Sequence, residues 1–422
     1  MRSSNSKLPL KNPHDSQLRV LYLDGSMKFG GAVKSLSLML SALKNVSPII
    51  ITCQDKEIID KWFNKFRVFR FKRFFSYVSR NRLEHWLRMN ISSSFTSRLI
   101  LLSFSLFSKI ESMIITIRVI CIAKYFKIDL MHLNTGFKTL NGLSAARILK
   151  IPCVVHLRGF FLGNRKTIVR TMHQAAKVIG VSNAVSKSVY QYGMVNDKII
   201  TVYDSVDMVA FEKAVIERLK TRHEVGLKES DVATGIFGRI VPWKGQLEFT
   251  YAALQAIKVN QKIKVVIVGD ESDGLEDYFN KIKDVIYRSG YQDHFILTGY
   301  KEDVEELFAA MDIVVHASIE PEPFGMVVIE AMAASKPVIA TNAGGPSEII
   351  NSMVEGILVP PGDIKEMTAA ILELVNDSAK RESMGRRGHA KVRTQYTNQI
   401  ISSKIEKVYQ DLMCHTMRET QA

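Results

Sequence analysis

Apolar residues fall into short, nearly unbroken runs at 19–23, 48–52, 130–133, 153–157, 178–181, 233–237, 264–268, 312–316 and 337–340, and stretches of helical character separate them. A strand that is apolar at every position is one covered on both faces, as in a parallel sheet flanked by helices. The alternation therefore predicts an α/β chain with parallel sheets. A helix is expected from about Ala32. After Asp204-Ser205-Val206-Asp207 the chain turns helical and charged until the strand at 233, which puts a domain boundary near 205.

With 422 residues, 46% of them hydrophobic, two or three domains with large cores are affordable and overall disorder is excluded. Residues 1–16 are polar and lack the apolar core of a signal peptide, so a loose tail and a cytosolic protein are expected. Cys53, Cys121, Cys153 and Cys414 show no C-x-x-C spacing, which suggests neither a zinc site nor a disulfide framework. The first strand lacks a following G-x-G-x-x-G, arguing against a nicotinamide dehydrogenase.

The formal charge of +15 comes from 57 basic against 42 acidic residues, and much of the excess is local. Lys61, Lys65, Arg67, Arg70, Lys72, Arg73, Arg80, Arg82 and Arg88 interleave with Trp62, Phe63, Phe66, Phe69, Phe71, Phe74, Phe75, Tyr77 and Trp86. That mixture reads as a surface for anionic lipid, with rings at the interface and cations at the phosphates. The bland alternative is that the rings fill a core and the cations solvate it. The following apolar stretch, 99–123, is broken by Lys109, Glu111 and Arg118 and is not a clean membrane span. An amphipathic helix pair, half core and half membrane-facing, is expected over that stretch, within the basic aromatic segment 61–125. A nucleic-acid partner ranks lower, because no nucleic-acid module is recognisable.

The candidate chemistry centres on Glu322-Pro323-Phe324-Gly325 and Glu330, two carboxylates on either side of a turn that opens a helix. Ionised carboxylates accept hydroxyls, and the N–H groups of Phe324, Gly325 and Met326 at a helix start suit a phosphate or sugar oxygen. Arg239 and Lys244, between Gly238 and Gly245 at the end of the strand at 233, offer a planar fork and a point charge for a diphosphate. Gly30 and Gly31 follow the first strand, where glycine lets a phosphate approach the backbone.

E-x7-E with Pro-Phe-Gly after the first Glu resembles the donor-site signature of family 4 retaining glycosyltransferases of the GT-B fold. Further matches in register are Val265-Val266-Ile267-Val268-Gly269, Leu297-Thr298-Gly299-Tyr300, Asp312 with Ser318, Gly344-Gly345-Pro346-Ser347-Glu348, and Leu358-Val359-Pro360-Pro361-Gly362-Asp363. The resemblance runs from Arg19 to about Tyr396. It implies two Rossmann-like domains facing across a cleft: a tail 1–16, an acceptor domain 17–205, a donor domain 206–395, and a helix 396–415 crossing back to the first domain. Where the family often has Asn-Gly-Val-Asp, this chain has Asp204-Ser205-Val206-Asp207.

By the same resemblance Glu322 faces the transferred sugar and Glu330 the ribose, while Arg239, Lys244, Gly30 and Gly31 meet the diphosphate of a UDP- or GDP-sugar. The family's acceptor-side histidine falls on His156 or, with the register slid by two, on Arg158, which shares its strand face. His156 is the expected sugar contact, with Arg158 a phosphate or acceptor ligand beside it. No obligatory cofactor or metal is implied. The expected reaction is retaining sugar transfer to a hydroxyl of a glycan or lipid-linked glycan in surface polysaccharide or lipopolysaccharide assembly, at the inner face of the cytoplasmic membrane. The competing readings are a nucleotide-sugar epimerase on the same scaffold and a non-catalytic membrane-associated partner.

Overall fold

The computed structural model describes residues 17–72, 83–84, 86–87, 91, 94–161, 172–190, 192, 196–271 and 274–421. β1 (Leu18–Asp24) lies in a seven-stranded sheet with β2 (Val46–Thr52), β3 (Arg67–Arg70), β4 (Leu130–Leu133), β5 (Cys153–Leu157), β6 (Lys177–Gly180) and β7 (Ile199–Thr201). Its order is β3-β2-β1-β4-β5-β6-β7, and every neighbouring pair is parallel. The second sheet has the order β10-β9-β8-β11-β12-β13, again parallel throughout. Its strands are β8 (Val232–Phe237), β9 (Ile263–Val268), β10 (Phe295–Gly299), β11 (Ile313–His316), β12 (Val338–Thr341) and β13 (Gly356–Val359). The fold is GT-B, two Rossmann-like parallel-sheet domains.

Strand order reverses between β1 and β4 in the first sheet and between β8 and β11 in the second. In doubly wound sheets such a switch opens a crevice beyond the carboxyl ends of the strands, where ligands bind. The segments leaving those ends are the Gly30-Gly31 loop, the Arg239–Lys244 loop and the Glu322 turn. Topology thus brings to the switch points the residues that sequence singles out.

All nine expected strands are present, their ends within two residues of the expected ones. β3, β7, β10 and β13 were not expected, and all four are sheet edges. An edge strand has one neighbour and one wet flank, so it need not be wholly apolar: β3 is exposed at both Arg67 and Arg70.

The closing helix, expected over 396–415, runs Asn398–Gln421 and packs on helix Gly31–Ser41 of the first domain. Ile401, Ile405, Val408 and Tyr409 complete the core formed by Val20, Tyr22 and Leu36. Ser402 Oγ donates to the Met39 carbonyl at 2.7 Å, and Glu406 accepts the backbone N–H groups of Lys44 and Asn45 at 2.6 and 2.7 Å.

The basic aromatic segment differs from expectation. Phe63 and Phe71 are buried, and Trp62, Phe66 and Phe69 pack against cores. These rings therefore fill the domain and do not line a lipid surface; burying an aromatic in a core gains more than leaving it at a wet edge. Trp86 is exposed. Arg73, Phe74, Phe75, Tyr77, Arg80, Arg82 and Arg88, like the tail 1–16, lie outside the described residues. Residues 99–123 belong to one helix, Ser94–Tyr125, and not to a pair. Ile115, Val119 and Ala123, four residues apart, fix its second half to the core, whereas no described side chain from 96 to 111 is buried.

Candidate active site

The loop after β8 returns through a turn at Gly245, whose φ of 72° is left-handed and whose Cβ, if present, would lie 2.0 Å from the Ala317 carbonyl oxygen. Only glycine allows that approach, and it presses the Lys244 loop onto the segment that follows β11. Lys244 Nζ consequently reaches both carboxylate oxygens of Glu322 at 2.7 Å. Its ammonium also sits 4.5 Å from the centre of the Trp243 ring, which an aromatic face favours.

Glu322 is held from two further sides. His316 Nε2 lies 2.5 Å and Ser318 Oγ 3.1 Å from its Oε2. Burial alone would push this carboxyl up, but the Lys244 and His316 charges and hydrogen bonds overcome that and hold it well below the usual carboxylate range. Glu322 therefore stays ionised at neutral pH. It is an acceptor and a negative charge, and it cannot serve as a general acid.

The turn beyond Glu322 ends at Gly325, φ 99°, which precedes helix Met326–Ala333. Among the described residues, the N–H groups of Phe324, Gly325 and Met326 donate to no carbonyl or side chain. They stand at the positive end of the helix, as a phosphate site requires. The Gly344-Gly345 loop braces this turn: Gly345 N–H donates to the Glu322 carbonyl at 2.8 Å, and a Cβ on either glycine would meet the turn's backbone at 2.2 Å. Arg239 is exposed, with its own carbonyl held by Gln246 Nε2 at 2.8 Å, and it makes no ion pair among the described residues.

The first domain supplies the opposite wall. A Cβ at Gly31 would lie 3.6 Å from Met326 Cγ, so the glycine loop directly faces the start of helix Met326–Ala333. Lys34, one turn further on, spans the gap to Glu330 at 2.8 Å and to Glu305 at 3.3 Å. Lys61 pairs with Glu302 and Asp303, both at 3.0 Å. On another face Glu348 accepts the backbone N–H groups of Asn183 and Ala184 at 2.8 and 2.7 Å, at the start of helix Asn183–Tyr190. In each contact acids of the second domain meet positive charge of the first.

His156 and Arg158 are placed differently from expectation. His156 is 1% exposed; its Nδ1 lies 3.3 Å from His132 Nε2, and His132 Nδ1 lies 2.7 Å from the Tyr409 hydroxyl. Burial, then the nearby Arg158 and His132, push its pKa well down and keep the ring neutral. It belongs to a polar core network, with its Nε2 buried and unpartnered among the described residues. Arg158 is also enclosed, bonded to Asp204, to Ser35 Oγ at 2.7 Å and to Asn134 Oδ1 at 3.0 and 3.1 Å. The physical reason is depth: His156 lies within the fully buried strand β5, and Arg158, just past its end, is held by Asp204.

Two residues escaped the sequence reading. His316 ends a strand and is separated from Glu322 by a turn, and Lys34 shares its helix face with nothing distinctive; only the fold brings each to a carboxylate.

Residues 217–391 match the family model described as glycosyl transferases group 1. An uncharacterized glycosyltransferase of Methanocaldococcus jannaschii is 25% identical over 304 residues, 68% of this chain and 76% of the relative. The capsular polysaccharide biosynthesis glycosyltransferase CapM of Staphylococcus aureus is 26% identical over 319 residues, 72% of this chain and 82% of the relative. Among solved structures, Anabaena HepE in complex with UDP superposes with a TM-score of 0.74 at 24% identity, covering 93% of this chain and 100% of HepE.

Proposed function

We propose that this chain, a glycosyltransferase by its match to the group 1 model over 217–391, is a retaining, family 4 enzyme. It moves a sugar from a UDP-sugar to a hydroxyl of a glycan or lipid-linked glycan in surface polysaccharide assembly. The observation that carries this reading is the Lys244–Glu322 cluster beside the free N–H groups of Phe324, Gly325 and Met326, with Gly31 facing them across the gap. Cation, helix end and glycine loop offer the positive charge and the close backbone approach that a diphosphate needs. UDP in the HepE structure supports uridine over guanosine, and the name of CapM supports the polysaccharide setting.

In this reaction the bond from the anomeric carbon to the diphosphate oxygen breaks as an acceptor hydroxyl bonds to the same face of that carbon. The hydroxyl proton passes to the departing phosphate oxygen. Arg239, Lys244 and the helix-end N–H groups stabilise charge growing on the leaving group, an effect strongest where the donors are already in place. Glu322 accepts sugar hydroxyls and Glu330 ribose hydroxyls. No enclosed side chain is needed as base, which agrees with a permanently ionised Glu322. A thermal-shift panel of UDP- and GDP-sugars tests the donor: a UDP-sugar is expected to raise the melting temperature most, and a panel with no response would overturn the reading.

The membrane-facing element of this proposal is helix Ser94–Tyr125, which is long and apolar enough to cross a bilayer by length and composition. Its second half is fixed to the core, and Asn141 Nδ2 anchors it at the Ser112 carbonyl, 2.8 Å away, just beyond the carboxyl end of β4. At 1.5 Å per residue the preceding 18 residues project about 27 Å from there. Leu99, Leu102, Leu106 and Ile110 are exposed on this arm, with Arg98 and Lys109 among them. We read it as lying in the interface of an anionic membrane, on the side of the sheet where an acceptor enters. Leu102→Glu with Leu106→Glu should lower the partition constant for anionic vesicles by about a thousandfold, since burying each leucine is worth roughly 2 kcal/mol. Unchanged sedimentation would remove the arm from the proposal.

A further inference from the structure

Glu330 is nearly buried, and its Oε1 is already taken by Lys34 Nζ at 2.8 Å. The lysine comes from the other domain, three residues beyond the glycine loop, and it also holds Glu305 at 3.3 Å. Burial would lower the Lys34 pKa, but Glu330 and Glu305 outweigh it and raise it, so the ammonium is charged at any working pH. Three charges, two negative and one positive, thus share one enclosed spot where the lobes touch. Without the cation, two acids would face each other and Glu330 would turn away.

We propose that Lys34 is a positioning residue of the donor site: by gripping one oxygen of Glu330 it aims the other at the ribose hydroxyls and so joins ribose binding to contact between the two domains. This rests on the nucleotide-donor reading above. Glu330 Oε2 has no hydrogen-bond partner among the described residues, so a ribose diol has an acceptor ready without displacing the lysine. A carboxylate held in this way loses little freedom when it binds, which is the source of preorganised affinity. The reach of Lys34 is set by the glycine loop: with Gly31 against Met326, the helix carrying Lys34 comes close enough for a direct ion pair.

The test compares UDP with 2′,3′-dideoxy-UDP on the full chain, by calorimetry. Lys34→Ala and the bulkier Lys34→Met should each weaken UDP about tenfold and the dideoxy nucleotide less than twofold, while Lys34→Arg restores UDP to within about threefold. In transfer assays the donor KM should rise about tenfold with kcat within threefold. Equal weakening of both nucleotides would mean that Lys34 merely supports the lobes, and no weakening of either would mean that it does not touch the site; both results overturn the proposal. Failure of the unaltered chain to bind UDP overturns the donor reading instead, which keeps the two failures apart.

Discussion

Replacing Lys244 by alanine is expected to lower sugar transfer by about 10²–10³-fold, the effect of losing one preorganised donor to a leaving group. The same substitution should destabilise the fold by roughly 3 kcal/mol, because Glu322 would keep its enclosed charge with only His316 and Ser318 to hold it. Arg239→Ala should cost transfer by a similar factor but leave the melting temperature unchanged, since its side chain is exposed and makes no ion pair among the described residues. Transfer rates and melting curves of the two variants, measured side by side, therefore separate chemistry from support. Near-normal transfer in both would sink the diphosphate assignment for these cations. A melting loss in Arg239→Ala would show that it supports the fold after all.

The second large effect is expected at Glu322. Glu322→Gln keeps the shape of the side chain and its bonds to the turn but removes the charge that Lys244 and His316 are arranged around. An amide offers one acceptor oxygen where the carboxylate offers two. Lys244 would then be released to bind phosphate while losing its alignment to the sugar. Transfer should fall at least a hundredfold, with donor binding reduced far less, as happens when an interaction made in the transition state is removed. Turnover close to normal would make Glu322 a structural residue that merely orients Lys244.

The central strands were legible because a strand covered on both faces must be apolar at almost every position, as β8 and β11 are. The edges were not: β3 reads Arg-Val-Phe-Arg, and its charged ends suit a strand with water beside it. The loops around Lys244 and Glu322 could be found because their chemistry is compressed into a few neighbouring residues. Gly245 and Gly325 adopt left-handed backbone, and the cations and acids adjoin such glycines. Lys34 was not legible, since its meaning depends on Glu330, 296 residues away. His156 misled for the opposite reason. A histidine near the end of a buried strand has the same local sequence whether it opens to a cleft or turns into a core, and here Tyr409, from the far end of the chain, reaches its neighbour His132. The aromatic comb misled similarly: rings interleaved with cations look the same in sequence whether they meet lipid or, like Phe63 and Phe71, their own domain.

That reach of Tyr409, with Ile401 and Ile405, bears on how the molecule is made. The first lobe is translated before the second, yet its apolar floor is finished by residues translated after the whole second lobe. Where domains usually mature in order of synthesis, this lobe must wait half-built through translation of the entire second one. A nascent chain stopped before residue 398 would carry a complete second lobe and an unfinished first one, so quality control acting on exposed apolar surface would recognise premature termination in the lobe far from the break.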